Sequence, residues 1–117
     1  MDVRDLVRSI LDGDLLAARE WVSEAHRVSL VWTDVAQPAG MSEREMSVAA
    51  AILELLSARS GVEPPPWTEA VGALHELFVL DPGLEKMPRS FARAKSDGPE
   101  PLRKRNIVAL PDFLDVA

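Results

Sequence analysis

The chain has 117 residues, of which 47% are hydrophobic and 27% charged, with a net charge of −6 and no cysteine. That length fits one core, and the composition is that of a folded domain rather than a disordered chain. It excludes a disulfide framework and thiolate chemistry, offers no apolar run near the about 20 residues of a bilayer span, and, being acidic, disfavours general nucleic-acid binding.

The start, MDVRDLVRS, alternates charge with apolar residues and has no signal-peptide core, so a cytoplasmic protein is expected. Val3, Leu6, Val7, Ile10 and Leu11 fall on one face of a 3.6-residue period. Asp2 is placed to cap this first helix and Gly13 to end it in the left-handed conformation. Asp14 then caps a second helix, LLAAREWVSEAHR, with Leu15, Ala18, Val22 and Ala25 on one face. Two short helices joined through a glycine predict an antiparallel hairpin. Residues 28–41, VSLVWTDVAQPAGM, break the pattern and read as a packed connector containing a short extended piece.

Ser42-Glu43-Arg44-Glu45 has the form of a capping box, and the helix it opens runs to Gly61. Its apolar stripe, Met46, Ala49, Ala50, Leu53 and Leu56 widened by Val48, Ile52 and Leu55, is broad enough for a helix covered on more than one side. It is the predicted centre of the core. Pro64-Pro65-Pro66 forms a stiff spacer, Thr68 is a candidate cap, and a helix is expected over EAVGALHELFVL, weakened at Gly72 by about 1 kcal/mol. Asp81-Pro82-Gly83 signals a turn. A last helix of about two turns is expected over Arg89–Ser96, with Pro88 at its first position and an end at Gly98. The expected fold is all-α, a small bundle of four or five helices, divided into a helical domain over 1–97 and an extended C-terminal arm over 98–117.

Charge is segregated. Residues 1–85 carry six basic and fifteen acidic side chains, whereas residues 86–105 carry seven basic and two acidic ones. Chemistry is sparse. His75-Glu76 begins like a zinc-protease HExxH, but Val79 stands where the second histidine belongs. His26 has no metal-ligand spacing around it. No nucleophile elbow, dinucleotide fingerprint or phosphate-binding loop occurs. No catalytic residue, metal ligand or cofactor is therefore expected.

The arm is the most informative segment. Pro99 and Pro101 oppose a continuous helix, Arg103-Lys104-Arg105 follows, and then come Ile107, Val108, Leu110, Phe113 and Leu114. Left in water, the larger of these would forgo roughly 1.5–3 kcal/mol each. Either the arm folds onto its own helices or it docks on another chain, by strand addition or in a groove. In the second case the cationic run would steer it toward an acidic partner. Trp67, held by the triple proline, is a candidate anchor.

GPEPLRKRNIVALPDFLDVA, with EPPPWT upstream, resembles the closing pattern of small bacterial proteins found in toxin–antitoxin-type two-gene modules. The likeness covers about the last half of the chain and carries no catalytic residue. It implies a non-enzymatic partner protein, antitoxin-like, with a neighbouring gene product as its partner. The function expected is thus a protein–protein interaction module using Trp67, Arg103, Lys104, Arg105, Ile107, Leu110, Phe113 and Leu114, with no membrane partner. A homodimer with exchanged arms would mimic it. The alternatives are a DNA-binding regulator using the basic 86–105 segment and a small enzyme with an unrecognised site.

Overall fold

A computed structural model of the chain describes residues 1–115; residues 116 and 117 of the arm lie outside the described residues. The described residues hold five α-helices: α1 (Val3–Leu11), α2 (Leu15–Arg27), α3 (Glu43–Arg59), α4 (Pro88–Asp97) and α5 (Glu100–Arg103). Two two-residue strands, β1 (Phe78–Val79) and β2 (Ile107–Val108), pair in parallel with Phe78 opposite Ile107 and Val79 opposite Val108. Short 3₁₀ turns cover Trp32–Asp34, Pro66–Ala70 and Leu84–Lys86.

The helix ends follow the local chemistry. The Asp2 carboxylate accepts the Arg4 amide, and Asp14 accepts that of Ala17. Gly13 takes φ +76 between α1 and α2, which is why a glycine sits there. The capping box is complete: the Glu45 amide donates to Ser42 Oγ, and the Ser42 amide donates to the Glu45 carboxylate. α3 is enclosed along nearly its whole length, with Ser47 to Leu53 and Leu55 to Ser57 buried. α1 packs on α2 and α3, and α5 lies on α3 from another side. Trp21 Nε1 donates to the Asp2 carbonyl at 3.1 Å and its ring meets Trp32 at 6.3 Å, closing the hairpin over the connector.

One expected helix is absent. Residues 69–80 form the end of a 3₁₀ turn, a loop and β1 rather than EAVGALHELFVL as a helix. The backbone there bonds to the arm instead of to itself. The amides of Leu74, Phe78 and Leu80 donate to the carbonyls of Arg105, Asn106 and Val108 at 2.8–3.0 Å. Gly72, Val71, Phe78 and Val79 are poor helix formers, so an intrahelical ladder has little advantage to set against these bonds. Conversely, α5 forms between Pro99 and Arg103 despite its two prolines. Pro101 falls in the first turn, where its missing amide has no intrahelical acceptor to lose.

At Gly98 the arm turns back under α4. A Cβ here would sit 2.6 Å from the Ala109 carbonyl oxygen and closer still to that of Ala94. Both are backbone atoms and neither can swing away. Gly98→Ala is expected to cost about 1–3 kcal/mol through this overpacking, read as a lower urea midpoint at unchanged slope.

Candidate functional site

The arm's apolar side chains lie inside this chain. Ile107, Val108, Phe113 and Leu114 are at most 3% exposed, and Leu110 is half-buried. Ile107, Phe113 and Leu114 join the main core with α1, α2 and α3, whereas Val108 joins a smaller cluster with Leu84 and Ala94 beneath α4. The arm therefore takes the first of its two options and folds onto its own helices, which leaves Ile107, Phe113 and Leu114 no surface on which to meet another chain.

Polar clips hold it there. The Arg59 guanidinium donates to the carbonyls of Phe113 and Pro111 at 2.6 and 3.1 Å. The Leu110 amide donates to the Asp81 carboxylate at 2.8 Å. Asn106, at φ +63, donates its side-chain amide to the Leu74 carbonyl. Burial pushes the Asp81 carboxyl above its ordinary value, and the Leu110 amide only partly opposes this. A raised folded value means that Asp81 favours the folded state most when protonated and loses that contribution as pH rises. Asp81→Asn keeps an oxygen for Leu110 without the charge. Its stability relative to wild type is expected to improve from pH 4 to pH 7, compared by thermal melts at both values.

Arg105 is the centre of the arm's attachment. It is 2% exposed and forks onto Glu54 of α3, at 2.7 Å from Nη1 and 3.0 Å from Nη2. Its remaining donors reach the carbonyls of Thr68 (2.9 Å) and Pro101 (3.0 Å), and buried Nε has no partner. Lys104 Nζ, half-exposed, approaches the same Glu54 at 3.0 Å. Burial pushes the Glu54 carboxyl up, but Arg105, Lys104 and Thr68 outweigh it and hold it below the usual range. The arm thus meets the proline-rich segment physically: Arg105 of the PLRKRN run binds the Thr68 carbonyl of EPPPWT. Trp67 is half-buried, with Nε1 donating to the Val35 carbonyl at 2.9 Å, so its polar edge is used within the fold.

Over residues 86–104 the exposed charges are mostly cationic, with Asp97 and Glu100 the two anionic ones. Lys86, Arg89, Arg93 and Lys95 are exposed on and just before α4, and none has a carboxylate within 4 Å among the described residues. Lys95 Nζ stands 5.5 Å above the Phe91 ring, and Met87 at the helix start is 50% exposed. Arg103 is also exposed, its Nε donating to the Gly98 carbonyl. Of the residues expected from sequence to meet a partner, the structure therefore keeps Arg103 and Lys104 at the surface and Trp67 and Leu110 half-covered. Arg105, Ile107, Phe113 and Leu114 are in the interior. Glu54, Asp81 and Arg59 were not legible as functional residues. Each sits on an element whose pattern explains it locally, and only the arm's path brings it a partner.

Elsewhere, a groove of about 820 Å³ runs between the start of α1 and the 28–39 connector, with exposed Met1, Val28 and Val31 on its walls. His26 and His75 are both exposed, and His75 Nε2 lies 4.0 Å from Glu43. No group of three potential metal ligands occurs among the described residues, and no helix there is long and apolar enough to cross a membrane.

Comparison with protein-family models, with curated proteins and with solved structures finds no match for this chain.

Proposed function

We propose that this protein is a non-enzymatic protein–protein interaction module, antitoxin-like, that binds an acidic partner protein in the cytoplasm through the cationic face of α4 and the exposed Arg103 and Lys104 of the arm. The observation that carries this reading is the set of unpaired cations at Lys86, Arg89, Arg93 and Lys95 on a chain whose net charge is −6. Among the described residues, none of the fifteen carboxylates in residues 1–85 lies within 4 Å of these four cations. Free cations give charge steering toward an acidic partner. The resemblance to two-gene modules supplies the first partner to try, the product of an adjacent gene.

The test is co-expression with that product and co-purification. Arg89→Glu/Arg93→Glu is expected to weaken the complex at least about tenfold, mostly at low salt, while circular dichroism and the melting temperature stay near wild type because both side chains are exposed. Full retention of the complex by this variant would remove the α4 face from the interaction.

The same free cations also fit a duplex phosphate backbone, which keeps the DNA-binding reading as the alternative. It requires an affinity for duplex DNA that falls steeply with salt; a flat, weak response eliminates it.

A further inference from the structure

We draw no further inference here: the strongest candidate, the groove of about 820 Å³ between the start of α1 and the 28–39 connector with exposed Met1, Val28 and Val31 on its walls, carries nothing because nothing in the structure shows what covers it.

Discussion

Replacing Arg105 with methionine is expected to destabilise the protein by about 3–5 kcal/mol. Methionine is close to arginine in volume and is apolar and unbranched, so it leaves little space unfilled. What it leaves is Glu54, a carboxylate with 10% of its side chain exposed, with Lys104 as its remaining cationic partner. The Thr68 and Pro101 carbonyls lose their donor at the same time. The loss therefore comes from stranded partners rather than from the intrinsic worth of the ion pair. The double substitution Arg105→Met/Glu54→Leu is expected to recover much of it, because removing both charges of a buried pair is often neutral. Urea unfolding of the two variants measures this; equal losses in the single and double variants would contradict it. The pH dependence has a defined sign. Glu54 titrates below its ordinary range in the folded state, so its contribution is complete above that range and is lost as pH falls through the lowered value. In Arg105→Met, burial acts against only Lys104 and Thr68, the carboxyl is protonated more easily, and the variant's deficit against wild type is expected to narrow as pH falls.

Ending the chain after Asn106 is expected to abolish folding. The truncation removes Ile107, Val108, Phe113 and Leu114, all nearly inaccessible to solvent. At roughly 1.5–3 kcal/mol for each larger side chain, the lost burial reaches about 6 kcal/mol or more, comparable with the whole stability of a small domain. It also withdraws the Val108 carbonyl from Leu80, the Leu110 amide from Asp81 and the Phe113 carbonyl from Arg59. Circular dichroism is expected to show little helix and no cooperative melt. Phe113→Ala, a milder probe of the same packing, is expected to cost about 3–5 kcal/mol. A truncated chain that melts cooperatively near the wild-type temperature would show the arm to be accessory. An arm deletion therefore reports on folding, and partner binding has to be probed by surface substitutions on α4.

Local sequence was a good guide wherever short-range physics dominates. The caps at Asp2, Asp14 and Ser42, the left-handed Gly13, Pro88 at the start of α4 and the broad stripe of α3 all concern groups a few residues apart. It misled at residues 69–80, where a 3.6-residue apolar pattern was present but the backbone bonds went to Arg105, Asn106 and Val108. Arg105 was legible as a cation and not as an interior residue. Nothing within Arg103-Lys104-Arg105 marks Arg105, which pairs with Glu54 51 positions earlier, as the one to be buried while Arg103 and Lys104 stay exposed.

By itself the sequence determined a mostly helical chain with its helix ends in place, segregated charge, and an apolar terminus that required cover. Tertiary structure alone decided what the cover is and which cations remain free. The reason is physical: caps and periodicity are settled by neighbours along the chain, whereas the burial of a terminus and the pairing of a charge depend on which distant surface reaches them first. Here α3 reached Arg105, the core took the tail, and α4 was left carrying its charge into solvent.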